Sequence, residues 1–397
     1  MIYDAIIIGA GACGMMCGVQ AGYLNKKVLL LEKNDRPGAK ILISGGGRCN
    51  YTNLYTAPKN FLSKNEHFCK AALSQWTVQD TIDFFESNGI SGHEKTLGQL
   101  FPISNKAKDV VGVFIKLLQQ LTQPLYLDTV VTSVTKRSDK LFNVGFSRHG
   151  KTDIATARSV VIASGGLPIP KLGASDFALK IAQQFNLHVV PTTPALVPLT
   201  ITGKDADWFS ALAGNSIFSR VSNDIISFEE SILFTHWGLS GPAILQISSY
   251  WQPGESIHIN LLPHIDIMHV IQEERGRGGK RLLLNILQDH FTKKFAEALG
   301  KFLPIDKKIA SMSKQEAKEV HRVIHHFVVK PAGTKGYDKA EVMKGGVDTQ
   351  ELSSKTLEAK KVSGLFFGGE CLDVTGWLGG YNFQWAWASA YIIAQHI

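Results

Sequence analysis

The chain has 397 residues, a formal net charge of +8, 44% hydrophobic residues and 19% charged residues. That length accommodates two or three domains with a large core, and the composition is ordinary for a soluble globular protein. Five cysteines (Cys13, Cys17, Cys49, Cys69 and Cys371) form neither a CxxC nor an even secretory framework, which excludes a disulfide scaffold and points to free thiols in a reducing cytoplasm.

Basic residues are spread along the chain, and only Arg275 to Arg281 is locally dense. No aromatic-rich basic strand pair accompanies them. The charge therefore reads as a solvated surface plus an anionic ligand, with no nucleic-acid partner expected. No run of about eighteen apolar residues is present, so no membrane span is expected either.

Tyr3 to Ile8 is a continuous apolar strand, Gly14 to Leu24 a helix rich in small residues, and Val28 to Leu31 a second apolar strand ending at Glu32. This pattern predicts a βαβ unit in a parallel sheet buried on both faces. A glycine-rich loop is expected over Pro37 to Asn53, then helices over Phe68 to Asn88 and Lys106 to Leu121. Leu127 to Thr135 and Phe142 to Phe146 read as a hairpin. Ser159 to Ala163 is another buried parallel strand, running into Ser164, Gly165 and Gly166.

From Pro191 the texture changes to turns and short alternating strands (Val197 to Ile201, Ile225 to Phe228, Ile232 to Phe234, Ser256 to Ile259), which suggests a small β-barrel or sandwich. Helical periodicity follows from Ile265 to about Val328. Lys339 to Val347 and Lys361 to Gly368 return to strands, and Tyr381 to Ile397 is a helix. The expected fold class is α/β, with one domain made from both chain ends and an insertion between them. In residue ranges this is 1–190 and 346–397 for the first domain, 191–264 for a barrel-like part, 265–328 for a helical part and 329–345 for a return strand.

Gly9-Ala-Gly11-Ala12-Cys13-Gly14 follows a strand and opens a helix. The first glycine permits the tight turn, the second lets the backbone approach a pyrophosphate, and the third lets helix and strand pack closely. The anion sits on free N–H groups at the helix start. Glu32, about twenty residues on, is placed to accept hydrogen bonds from an adenosine ribose. Its carboxylate favours a free 2′-hydroxyl, as in FAD or NAD.

Two further segments favour FAD. Gly45, Gly46 and Gly47, followed by Arg48, Cys49 and Asn50, make a backbone loop that can lie flat on a large ligand with a fixed cation beside it. Near the C-terminus, Leu365 to Gly368 leads into Gly369 and Glu370, Asp373 follows, and Gly379, Gly380, Tyr381 and Asn382 open the last helix. An acid at that strand end suits ribityl hydroxyls. A glycine-started helix suits the pyrimidine edge of an isoalloxazine.

The combination GAGACG, ISGGGRCNYTN, FTHWGLSGPAIL and the block from Met343 to Ala390 resembles the YhiN/BaiN-like family of bacterial FAD-dependent oxidoreductases over nearly the whole chain. The resemblance implies a Rossmann-like, glutathione-reductase-type FAD domain formed by both chain ends and interrupted by a β-barrel plus helical insertion. It also implies non-covalent FAD and an NAD(P)H-dependent reductase activity on largely unidentified substrates. By the same resemblance Gly9 to Gly14, Glu32, Lys33, Lys40, Arg48 to Asn50, the backbone near Val131, Asp373 and Gly380 to Asn382 contact FAD. One departure is RGRGGK, from Arg275 to Lys280, whose glycines fall where uninterrupted helix is expected.

Catalytic residues are weakly marked. His236, within FTHWGLSGP, is a candidate proton donor; Cys49 is a candidate redox thiol without a CxxC partner. His325-His326 lacks a companion set of ligands, so no metal is expected. The preferred function is hydride transfer from reduced FAD to a polarised C=C bond of a small organic substrate, with NAD(P)H as a transient donor. A flavin-dependent RNA-modifying or RNA-binding protein and an FAD-bound sensor are the alternatives. Oligomeric state is not legible.

Overall fold

The first strand lacks polar alternation because it is covered on both faces and flanked on both edges. In the computed structural model, which describes residues 1–397, Ile2–Ile8 pairs in parallel with Val28–Leu31 on one side and with Lys151–Ile162 on the other. Ile6, Ile7 and Leu29 to Leu31 are all within 1% of full burial. The helix Ala12–Tyr23 joins the first two strands and buries residues 13 to 22. Gly18 sits where a Cβ would press on Leu118 and Leu30 at 3.0 Å, so small residues bring this helix close to the sheet. The C-terminal helix Tyr381–His396 packs beside it.

The sheet order is Leu125–Tyr126, Val28–Leu31, Ile2–Ile8, Lys151–Ile162, Phe142–Arg148, Thr129–Lys136. One edge of the long strand is used twice. Residues 151–157 pair antiparallel with Phe142–Arg148, and residues 160–162 pair in parallel with Leu365–Phe367 from the far end of the chain. The expected hairpin forms, with an irregular register between Val131 and Ser133.

Two elements differ from expectation. The start of the predicted glycine loop is helical, Ala39–Gly47, because Ala-Lys-Ile-Leu-Ile favours helix and buries Ile41. The helix stops at Ser44, whose ψ is 147°, and left-handed Gly45, Gly46 and Gly47 follow. The single helix expected over Phe68 to Asn88 is broken into Cys69–Gln75 and Val78–Ser87. Thr77 causes the break by capping the second helix, exchanging hydrogen bonds with Asp80.

The chain divides into two compact units, Met1–Thr193 with Val342–Ile397, and Pro194–Glu341. The second unit holds an antiparallel sheet whose order runs from Phe327–Val329 at one end to Gly333–Thr334 at the other. Those end strands are adjacent in the chain. Four residue steps span at most about 14 Å, whereas seven flat strands are about 29 Å wide. The sheet must therefore curl, as a barrel-like insertion requires.

Ser227–Thr235 is one strand where two were expected. Glu229, Glu230 and Ser231 look like a turn in sequence, but they sit within the ladder to Ser216–Ser222, a strand the pattern missed. The helical part comprises Ile267–Gly276, Leu283–Gln288, Lys293–Ala298 and Lys314–His325. RGRGGK does interrupt it: Gly278 and Gly279 are left-handed, and a Cβ at Gly279 would meet the Ala310 nitrogen at 2.6 Å. Arg275 donates to the Met312 carbonyl at 2.6 Å, and Arg281 pairs with Asp289. No helix is long and apolar enough to cross a membrane.

Candidate functional site

The turn Gly9 to Gly14 is shaped by clashes that side chains would cause. Gly9 has φ +104°, and a Cβ there would lie 2.6 Å from the Ala163 carbonyl oxygen, on the neighbouring strand end. A Cβ at Gly14 would overlap the Gly9 carbonyl oxygen. Gly11 instead faces open space within 4 Å. It is the N-cap of Ala12–Tyr23, no side chain caps that helix, and its first turn holds no acid. The first helical N–H groups and the helix dipole are therefore directed at a vacant approach suited to a phosphate.

Glu32 is 8% exposed. Its Oε2 accepts from the Ala10 N–H at 2.8 Å and its Oε1 from the Asn34 N–H at 3.0 Å. These bonds lock the carboxylate beside the glycine turn and leave a second acceptor site on each oxygen. The Glu32 carbonyl takes the Thr129 N–H at 2.9 Å, which brings the irregular Val131 segment to the same strand end. Lys33 is exposed.

Arg48 closes the triple-glycine loop. Its Nε donates to the Gly45 carbonyl at 2.8 Å, and its guanidinium lies 5.3 Å from the centre of the Phe101 ring. Asn50 is buried, and its Oδ1 has no hydrogen-bond partner. Cys49 is fully buried, and burial pushes its thiol up to about 12. Burial thus disfavours the thiolate at this position. Cys13 is likewise buried and pushed up to about 12. It is a packing residue against Gly368 and Gly369.

The C-terminal residues meet this site from the other end of the chain. Glu370 binds Lys40 at 2.5 Å through one oxygen and accepts from the Met343 N–H at 3.2 Å through the other. Ser164, at the end of the long strand, has a buried Oγ without a partner, and Gly165 is left-handed beside Glu370. Asp373, 3% exposed, accepts from the Lys64 N–H at 2.8 Å. Burial raises its pKa above the ordinary carboxylate value.

Gly379 and Gly380 have φ of +109° and +100°, and a Cβ at Gly380 would overlap the Thr52 carbonyl and lie 2.9 Å from Asn50 Oδ1. Asn382 exchanges hydrogen bonds with both backbone groups of Gly376, which fixes the entry into the last helix. No side chain caps that helix, and its first turn holds no acid.

One residue that the sequence reading missed organises the site. Asn53, 1% exposed, donates to the Gly379 carbonyl at 2.8 Å and to the Leu97 carbonyl at 3.0 Å. Its neighbours in ISGGGRCNYTN were the available signal. His236 lies in an exposed turn of the second unit. His325 does have companions: ligand atoms of Asp266, His321 and His325 lie within 4.8 Å of one another. Both ring nitrogens of His325 already have partners, Asn260 Oδ1 at 3.0 Å and the Ile267 N–H at 3.2 Å. The cluster is a helix-start arrangement in the hydrogen bonds it makes.

These observations fit FAD. A free helix start beside an unfilled glycine turn suits a pyrophosphate, a locked acid suits a ribose, and orphaned buried oxygens on Asn50 and Ser164 suit a polar ligand arriving between the two chain ends. The fold and the site define a Rossmann-type, FAD-binding oxidoreductase. The chain matches the HI0933-like protein Rossmann domain over residues 3–396 and belongs to that family.

It is 46% identical to the ribosomal RNA dihydrouridine synthase of Escherichia coli (strain K12), covering 100% of this chain and 98% of that protein. It is 28% identical to the 3-dehydro-bile acid delta(4,6)-reductase of Clostridium scindens, covering 98% of this chain and 97% of that protein. Among solved structures, a 3-ketosteroid-delta4-(5alpha)-dehydrogenase from Rhodococcus jostii RHA1 shares the fold, with a TM-score of 0.51 and 12% identity over 99% of this chain and 96% of the other.

Proposed function

We propose that this protein reduces the C5=C6 bond of uridine in ribosomal RNA, with FAD as cofactor and NAD(P)H as electron donor, in the cytoplasm. The observation that carries the reading is 46% identity, end to end, with a ribosomal RNA dihydrouridine synthase. The absence of a nucleic-acid partner, expected from the spread of charge, is set aside for that reason. The expected chemistry survives in a larger substrate, because uracil C5=C6 is conjugated with the C4 carbonyl and is a polarised double bond.

When bound, FAD supplies a two-electron carrier able to deliver hydride. We assign the pyrophosphate to Gly9, Gly11, Ala12, Cys13 and Gly14, and the adenosine ribose to Glu32, with Lys33 and the Val131 backbone nearby. Lys40, Gly46, Gly47, Arg48, Asn50, Ser164, Gly165, Gly369, Glu370 and Asp373 hold the remainder. Gly379, Gly380, Tyr381 and Asn382 set the helix start, whose dipole stabilises negative charge on the adjacent ligand edge.

Hydride addition at C6 places the electron pair on C5 and O4, and a proton then completes C5. The net change is two hydrogens gained by the base. The base must leave its stack to be reached.

The test uses the purified, yellow protein under anaerobic conditions. NADH or NADPH should bleach the flavin band, and unmodified ribosomal RNA should restore it faster than a small enone does. Preferential re-oxidation by the enone would favour the second reading, a small-molecule reductase, which the similarity to the bile-acid enzyme supports.

A further inference from the structure

Beside the Gly379 turn lies an exposed tip that the flavin-binding assignment does not use. Thr52–Asn53, Gln99–Pro102 and Gly92–Glu94 form a small antiparallel sheet. At its end Tyr55 is 63% exposed and Leu97 52%. Single exposed apolar side chains are common and mean little. These two are held in place, however. Leu97 has φ +50°, a left-handed conformation that a leucine rarely adopts. Gly98 lies so close to the Tyr55 ring that a Cβ there would be 2.7 Å from it.

The buried Asn53 amide ties this tip to the site. Its Oδ1 accepts from the Tyr55 N–H at 2.9 Å while its Nδ2 donates to both the Leu97 and the Gly379 carbonyls. Three backbone positions, two on the tip and one at the helix start, thus share one side chain.

Cations flank the tip. Arg48 and Lys95 lie 5.3 and 5.8 Å from the centre of the Phe101 ring, and neither makes an ion pair. Glu94, the nearest acid in the chain, is engaged with the Gly98 N–H at 2.9 Å. On the larger scale, basic and acidic side chains nearly cancel within residues 194–341. Nearly all of the net +8 therefore lies on the unit built from the two chain ends, more than the two negative charges of a pyrophosphate would neutralise.

We propose that the Tyr55–Leu97 tip, with Lys95, is the docking surface for the single-stranded RNA segment that flanks the reacting uridine. This rests on the RNA reading given above. Tyr55 offers a π-face on which an unpaired base stacks, Leu97 packs beside it, and Lys95 meets a phosphate. Asn53 transmits the position of the docked strand to the Gly379 turn. A rigid platform next to the flavin helix suits RNA whose bases are already unstacked, which is how sequence-specific sites in RNA are read.

The experiment compares wild type with Tyr55→Ala, Tyr55→Phe and Lys95→Gln as FAD-loaded proteins. Binding is followed by fluorescence anisotropy with fluorescein-labelled oligouridylate across a salt series, and kcat/KM by dihydrouridine formation on unmodified ribosomal RNA transcribed in vitro. Tyr55→Ala should lose about tenfold in affinity and in kcat/KM, and Tyr55→Phe should restore both. Lys95→Gln should reduce the salt dependence by about one phosphate contact. Flavin content and anaerobic reduction by NAD(P)H should be unchanged in all three. If wild type reduces RNA and the variants match it in affinity, salt slope and kcat/KM, the docking surface is wrong and the function stands. If wild type neither binds nor reduces RNA, both are overturned.

Discussion

Glu32 shows how one side chain serves both the fold and the site. Its carboxylate bonds two backbone N–H groups at 2.8 and 3.0 Å, so Glu32→Ala removes acceptors from the fully buried Ala10 as well as from the ribose we assign to it. Leaving that N–H unsatisfied costs about 1–3 kcal/mol, and a lost charged hydrogen bond to FAD is worth about 1.5–3 kcal/mol. The variant should fold with a lowered melting temperature and bind FAD roughly tenfold to a hundredfold more weakly, measured by flavin release on dilution. Undiminished flavin retention would remove the ribose assignment.

Asp373 makes a pH-dependent prediction of the opposite sign from a salt-bridged acid. Burial raises its pKa in the folded chain above the unfolded value of 3.8, with the Lys64 N–H opposing the shift. The folded state then holds the proton more tightly, so stability falls as pH rises through the folded pKa. Asp373→Asn, which still accepts from Lys64, should stabilise the apo-protein at pH 7 and give no gain at pH below about 4. Thermal melts at the two pH values check this, and an equal effect at both contradicts it.

At the scale of elements, the glycine turn separates folding from binding. Gly14→Ala places a Cβ on the Gly9 carbonyl, whereas a Cβ at Gly11 meets nothing within 4 Å. Gly14→Ala should destabilise the protein by about 1–3 kcal/mol, in the range of overpacking. Gly11→Ala should keep the stability and lose FAD, because the added methyl fills the phosphate approach. Melting curves and flavin spectra of the two purified variants distinguish these outcomes.

The elements that could be read from sequence were those whose burial is continuous or whose spacing is rigid. Ile2–Ile8, Ala12–Tyr23 and Val28–Leu31 stood out because a parallel strand covered on both faces leaves an unbroken apolar run. Ser227–Thr235 did not, because its exposed-face Glu229 and Ser231 interrupt the pattern at the spacing of a turn. Within the site, the glycines and acids were legible by type. Asn53 was not, since its role depends on carbonyls 44 and 326 residues away. The burial of Cys49 was not legible either, since sequence shows a thiol and not its surroundings.

At the scale of the molecule, both chain ends build one unit, and the inserted residues 194–341 form another with its own curled sheet. The Rossmann motif suits a dinucleotide, and we assign the Arg48 loop and the Gly379 turn to FAD bound from both chain ends. Charge adds that the FAD unit also carries nearly all the excess of basic residues, which suits a polyanionic substrate better than a steroid. The most direct measurement is nucleoside mass spectrometry of unmodified ribosomal RNA incubated with the purified flavoprotein and NAD(P)H. The account predicts uridine carrying two added hydrogens at a defined position. Unchanged RNA, alongside a flavin that NAD(P)H reduces and a small enone re-oxidises, would contradict it.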